Sequence, residues 1–284
     1  MAFSIPDDLK LAFSEKKCGI FVGAGASRAA GLPDWSGMLA ELVDCVKKLP
    51  NPEKSLIKDL DRLLKDKSKQ LALASVLKDE LGHDFSKYVE RRFADSALNP
   101  TEIHKAIVAL PAQFLITTNY DKLLERAKLE QTAGREVPNT YNYKQAGSVA
   151  SSLYRDKFFI LKAHGDAQED PDGIILTEKD YRQIIHHEPG YQSLLQTLFT
   201  TFTILFVGTS FTDIELQLLL GYIHSSFHGK TPAHYAIIAE DKPNAALVKA
   251  WRKDFNIHMV HVSPKRNYKE VLDFLKTLAI KVTK

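Results

Sequence analysis

The sequence predicts an α/β fold, a mostly parallel sheet with helices on both faces and an α-helical module inserted into it. Three observations carry that prediction. Apolar runs at residues 18–22, 113–117, 158–161 and 204–207 each end in glycine or polar residues. Short runs of that kind read as strands of an open sheet, whose ligands gather at the strands' carboxyl ends. The C-terminal stretch then alternates a strand at 234–239, a helix at 244–255, a strand at 258–262 and a helix at 268–278, a pattern that imposes right-handed crossovers between parallel strands. Residues 50–100, by contrast, carry helical periodicity and no β-rich run.

Element by element, Cys18 to Val22 form a buried strand that runs into Gly23 and Gly25, where the chain turns sharply because no Cβ stands in the way. Met38, Leu39, Leu42, Val43, Val46 and Leu49 recur at helical spacing after Trp35. Breaks at Pro50, Pro52, Gly82 and Pro100 divide the following helical segment. Residues 101–110 are expected to form a short helix, 113–117 a strand, 119–129 a helix and 130–152 an irregular loop or short hairpin. Beyond a turn-rich loop at 167–173, an amphipathic helical stretch follows Ile174-Ile175-Leu176-Thr177 to about Thr201, and another helix runs from Asp213 to about Ser225. One domain over 1–284 is expected: residues 1–49 and 101–284 as a Rossmann-like nucleotide-binding core, and 50–100 as the inserted module.

Bulk properties suit a soluble globular chain of 284 residues, 44% hydrophobic and 26% charged. The N-terminus has charges throughout and no apolar core for a signal peptide, and no run approaches the roughly 18 residues of a membrane helix, so a cytoplasmic location without membrane attachment is expected. A net charge of +3 gives no indication of direct nucleic-acid binding. Only Cys18 and Cys45 are present. They fit small buried hydrophobes in a reducing compartment and cannot supply the four thiolates of a zinc ribbon. His224 and His228 have helical ligand spacing without a third ligand nearby, and the pair His186-His187 carries no signal; no metal is expected.

The chemistry-bearing residues lie at the strand ends. After the first strand the frame is Gly23-Ala24-Gly25-Ala26-Ser27-Arg28. The third glycine of G-x-G-x-x-G is replaced by arginine, which weakens a hydride-transfer reading while leaving backbone amides that offer an anion site. Asn119 has donors and an acceptor able to hold a ribose hydroxyl or a water, or it sits there for its tolerance of a left-handed backbone. His164 titrates near neutrality and can take a proton, or it is a hydrogen-bonded turn histidine. Thr118-x-x-Asp121, Ser210-x-x-Asp213 and Thr212-x-x-Glu215 also have the form of helix caps. Asp166 either orients His164 or closes the turn.

As an ordered set, Gly23-Ala24-Gly25, Gly31-Leu32-Pro33-Asp34, Thr117-Thr118-Asn119-Tyr120-Asp121, His164-Gly165 and Gly208-Thr209-Ser210 resemble the sirtuin superfamily over residues 19–213. Within it, the chain resembles the zinc-free prokaryotic anti-phage defence branch of sirtuin-like NADases. The resemblance implies that NAD is the substrate, that Asn119 positions the attacking water and that His164 is the general base. It also implies that Asp121 recognises the nicotinamide carboxamide and that Pro33, Asp34 and Trp35 close over that ring. Ala24, Gly25, Ser27, Gly208, Thr209 and Ser210 are expected with Gly23 around the phosphates and riboses, Arg28 to add charge, and Glu240, just after the 234–239 strand, to hold the adenosine ribose. Trp35 is followed by Ser36, where sirtuin deacylases generally have phenylalanine followed by arginine.

The function implied is NAD glycohydrolysis to nicotinamide and ADP-ribose by a gated defence effector. Two alternatives are an NAD-dependent deacylase or ADP-ribosyltransferase, and a non-catalytic NAD or ADP-ribose sensor. With no second effector or sensor module expected in the chain, the trigger is expected from homo-oligomerisation or from a regulatory partner. A DNA-translocase-type hexameric ATPase and an Argonaute-type complex are the partner types the resemblance implies.

Overall fold

Five consecutive buried residues, Cys18–Val22, make β1, the central strand of one seven-stranded sheet. A computed structural model describes residues 3–211, 213–240 and 243–282. The other strands are β2 (Phe114–Thr117), β3 (Asn139–Asn142), β4 (Phe159–Lys162), β5 (Thr203–Val207), β6 (His234–Ala239) and β7 (Ile257–Val262). Their order is β3-β4-β2-β1-β5-β6-β7, and every ladder is parallel. Since β1 pairs with β2 on one side and β5 on the other, the chain reverses its direction across the sheet at β1. A crevice opens at the carboxyl ends of strands at such a switch point.

Alternate strand residues serve two cores. Ile20, Leu115, Ile160 and Leu205 face a cluster built with α1 (Asp7–Ser14), α6 (Glu102–Val108), α7 (Leu123–Gln131) and α13 (Lys265–Val282). Phe21, Ile116, Leu161 and Phe206 face a second cluster with α8 (Ala146–Tyr154), α9 (Glu178–His187), α10 (Pro189–Thr201) and α11 (Ile214–Ser226). Full burial on both faces is why these strands read as unbroken apolar runs. A third core joins α2 (Trp35–Lys47) to α3 (Lys54–Lys65), α4 (Gln70–Leu81) and α5 (His83–Phe93), with Leu39, Leu42, Leu60, Leu73, Leu77 and Phe85 all buried. The helices of 50–100 therefore pack on α2, which belongs to the preceding segment. The chain also carries α12 (Ala245–Phe255) between β6 and β7.

The structure corrects several local expectations. Residues 130–152 contain an edge strand, β3, and the helix α8 in place of an irregular loop or hairpin. The predicted 119–129 helix starts only at Leu123, leaving Asn119 to Lys122 as a loop. The stretch to Thr201 is two helices, broken where Pro189 restarts the chain at the first position of α10. In α13, Arg266, Asn267 and Tyr268 have positive φ, so the regular helix begins beyond them. Asp213, not Ser210, caps α11, accepting the Leu216 N–H at 2.9 Å; Thr212 lies outside the described residues.

His234, at the start of β6, gives one pH-dependent prediction. Its Nδ1 accepts the Ile204 N–H at 3.1 Å and its ring packs on Phe199 and Phe206. Burial alone pulls its pKa from 6.5 down to about 4. The unfolded chain therefore takes the proton first as pH falls, so stability is full above pH 6.5 and declines toward pH 4. At pH 5 the expected loss from this group is about 2 kcal/mol. Urea unfolding at pH 7.5 and pH 5 checks it: His234→Asn, which keeps an acceptor for Ile204, should lose that much less stability on acidification than the unmodified chain.

Candidate active site

At the switch point, the loops after β1 and β5 lie backbone against backbone. Gly23 N–H donates to the Val207 carbonyl at 3.0 Å and Gly25 N–H to the Gly208 carbonyl at 2.9 Å. A Cβ on Gly25 would sit 2.8 Å from that carbonyl oxygen, and one on Gly208, whose φ is +69°, only 2.5 Å from the Ala26 nitrogen. Only glycine fits either position. Gly25→Ala must therefore push the two loops apart, with an expected cost of about 1–3 kcal/mol measurable by chemical denaturation.

These loops form one wall of a cavity of about 760 Å³, within the roughly 300–1,000 Å³ of small-molecule sites. The residues assigned to NAD from the sequence line it: Gly23, Ala24, Gly25, Ser27, Arg28, Pro33, Asp34, Trp35, Asn119, Asp121, His164, Gly208, Thr209, Ser210 and Glu240; Asp166 does not. The helical module contributes Gln70 and Leu71, and α13 contributes Tyr268 and Val271. Arg28 sits beside Asp34, at 3.7 Å, and reaches the Tyr268 hydroxyl at 3.4 Å. Asp34 caps α2 by accepting the Gly37 N–H at 2.9 Å, which places Trp35 at the helix start. Glu240 is exposed at the end of β6, its N–H bonded to the Val262 carbonyl.

Asn119 is held by a hydrogen-bond network that runs back through Ser27 to His104. Thr101 N–H donates to His104 Nδ1 at 3.2 Å, so the neutral ring carries its hydrogen on Nε2 and donates to Ser27 Oγ, 3.2 Å away. Burial lowers the pKa of His104, against the pull of Asp121, and keeps the ring neutral. Ser27 in turn donates to Asp121 Oδ2 at 2.9 Å. Asn119 Nδ2 donates to Ser27 Oγ at 3.1 Å and to the Gly23 carbonyl at 3.3 Å. Its amide is thereby fixed, and Oδ1 is left buried without a partner.

Asp121 also accepts the Leu123 N–H at 3.0 Å on Oδ1, so it serves the start of α7 as well as Ser27. Its carbonyl is held by the Lys162 ammonium, fully buried between Glu125 and Asp166 at 3.5 and 3.4 Å. Asp166 closes the turn after the His-Gly pair by accepting the Gln168 N–H at 2.9 Å, and its other oxygen faces Lys162 and Lys122. Of the two roles left open for Asp166, this is the turn-closing one.

His164 is oriented by residues that sequence reasoning missed. It follows β4 at a turn that Gly165 makes with φ +90°, and is 4% exposed. Nε2 lies 3.5 Å from Asp213 Oδ2 and 3.6 Å from Glu215 Oε2, too long for hydrogen bonds yet close enough for strong charge interaction. Tyr181 donates to Asp213 Oδ2 at 2.7 Å, and its ring meets the imidazole edge-on at 5.5 Å. Gln192 donates to Glu215 Oε1 at 2.7 Å. Burial works to lower the imidazole's pKa, but the carboxylates, Asp213 foremost, outweigh it, and the net direction is upward. Asp213 and Glu215 were visible in the sequence only as cap-pattern partners; Tyr181 and His104 gave no chemical signal there beyond the Thr101-x-x-His104 spacing of a capping box. His224 and His228, spaced for a metal, are not among the described residues that cluster as potential ligands; His164, Asp213 and Glu215 are.

Among the described residues no helix is long and apolar enough to cross a membrane. A family model described as SIR2-like domain matches residues 113–260. The chain is 28% identical over 229 residues to "NAD(+) hydrolase ThsA" of Bacillus cereus (strain MSX-D12), covering 80% of this chain and 44% of that protein. It is 28% identical over 223 residues to the protein of the same name from Acinetobacter baumannii (strain 532279), covering 78% and 42%. "Defense-associated sirtuin 2" of Bacillus subtilis is 27% identical over 222 residues, 75% of this chain and 20% of that protein. The chain thus spans less than half the length of these three relatives.

Proposed function

The chain belongs to the SIR2-like domain family, and from that premise we propose that it is an NAD glycohydrolase, releasing nicotinamide and ADP-ribose as an effector of anti-phage defence. The observation that carries the reading is the pairing of Asn119 and His164 in one cavity beside the glycine loops, with Asn119 Oδ1 unpartnered. Thr209 Oγ1 is likewise buried without a partner in that wall. Such orphaned polar atoms fit a polar ligand that satisfies them. Two of the three relatives are named NAD(+) hydrolases and the third a defence-associated sirtuin, which agrees.

In this reading the phosphates lie along the glycine loops, where no Cβ blocks their approach, although the Gly23 and Gly25 N–H groups are themselves bonded to Val207 and Gly208, and Asn119 Oδ1 accepts a hydrogen from the attacking water. The carboxylates facing Nε2 keep the ring's hydrogen on that side and leave the Nδ1 lone pair free. As water oxygen bonds to the ribosyl carbon, the glycosidic electron pair returns to the pyridinium nitrogen and nicotinamide leaves neutral. The water's proton goes to His164 Nδ1, and Asp213 and Glu215 stabilise the imidazolium. Asp121, whose side chain is held by Ser27, faces the carboxamide, with Pro33 to Trp35 over the ring.

An ungated enzyme of this kind would exhaust its host's NAD. The reading therefore includes a trigger, supplied in the cytoplasm by self-association or by a partner chain such as a hexameric DNA translocase or an Argonaute-type complex. Purified protein incubated with NAD, with and without acetylated peptide, tests the activity. Nicotinamide release without peptide is the expected result; release only with peptide assigns a deacylase, and NAD binding without release in the presence of the native partner assigns a sensor. Recovery of the protein from native cells alone and fully active overturns the gating.

A further inference from the structure

The cluster around His164 has a geometry that orienting an imidazole does not require. Asp213 Oδ2 and Glu215 Oε2 stand 3.5 and 3.6 Å from Nε2, and the three ligand atoms all lie within 4.8 Å of one another. Two ligands on one tetrahedral zinc, with bonds of about 2.0–2.2 Å, are roughly 3.4 Å apart. Nε2 is buried, without a hydrogen-bond partner, and aimed at the two carboxylates. Tyr181 at 2.7 Å and Tyr191 at 3.4 Å donate to those same two oxygens, and Gln192 donates to Glu215 Oε1 at 2.7 Å, outer support of the kind that ligating carboxylates have. His164 and Asp213 also line the large cavity, which gives an ion its way in.

We propose that His164 Nε2, Asp213 and Glu215 form a binding site for a transition-metal dication of the zinc class, and that an ion seated there switches the hydrolase off. One imidazole and two carboxylates suit such an ion better than the harder magnesium or calcium, which prefer oxygen alone. The inhibition follows from the ring's two nitrogens. Metal on Nε2 uses that lone pair and leaves the ring's hydrogen on Nδ1, which then cannot accept a proton from water. The site stands on geometry alone; the switch rests on the hydrolase reading.

Calorimetric titration of the full chain with Zn²⁺, and optical titration with Co²⁺, tests the site without needing activity. One ion per chain is expected, with a visible Co²⁺ spectrum of low coordination number. Asp213→Asn and Glu215→Gln should each weaken binding at least about 100-fold. Both keep shape, and asparagine caps a helix as well as aspartate does, so circular dichroism should show them folded. The double variant His224→Ala/His228→Ala should bind as the unmodified chain does. No saturable binding, or binding that the Asp213 and Glu215 variants leave unchanged, overturns the site. If the site binds and the chain releases nicotinamide, Zn²⁺ should suppress release reversibly, with EDTA restoring it; release unaffected at saturating Zn²⁺ overturns the switch alone.

Discussion

Asn119→Ala should lower nicotinamide release at least about 1,000-fold while leaving the chain folded, the loss expected when a group that fixes the reacting geometry is removed. Its side chain makes two hydrogen bonds, to Gly23 and Ser27, each worth about 1 kcal/mol net, so a modest drop in denaturation midpoint should accompany the kinetic loss. The sharper test is Asn119→Asp. The substitution is nearly isosteric, but it turns the donor facing the Gly23 carbonyl and Ser27 into an acceptor, so the buried carboxylate must rotate or protonate. A similar fall in kcat is expected, with little change in KM. An Asn119→Ala enzyme retaining a tenth of the original turnover would remove Asn119 from the mechanism.

His164→Ala should cost roughly 10²–10⁴ in kcat, the range for loss of a general base. Truncation leaves Asp213 and Glu215 facing each other without the ring between them, so the folded state should be checked by near-ultraviolet circular dichroism before the rate is read. Added imidazole, entering through the cavity that His164 lines, should restore part of the activity to the alanine variant. It should do nothing for Asn119→Ala. Equal rescue of both, or of neither with both folded, would show that His164 does not act by proton transfer.

The strands were legible because burial on both faces writes them as unbroken apolar runs, and the motif residues stand at their ends. β3 was not legible for the same reason reversed. Asn139–Asn142 is an edge strand with no fully buried residue, so its pairing with β4 leaves no apolar signature. The start of α7 was misplaced because helical periodicity continues through Asn119 to Lys122. Those residues are pulled out of the helix by tertiary partners, Ser27 for Asp121 and Asn119, and buried Lys162 for the Asp121 carbonyl.

Locally encoded features were thus determined by the sequence itself: the parallel α/β core, the glycine turns, and the placing of Asn119 and His164 just beyond strand ends. Each depends on neighbours within a few residues, through burial periodicity or the backbone freedom of glycine. What surrounds those two residues was decided by tertiary structure. His104 reaches Ser27 across 77 residues of chain, and the carboxylates and tyrosine around His164 come from α9 and the start of α11. Charge and hydrogen bonding act through space, so their partners leave no spacing in the sequence by which they could be read.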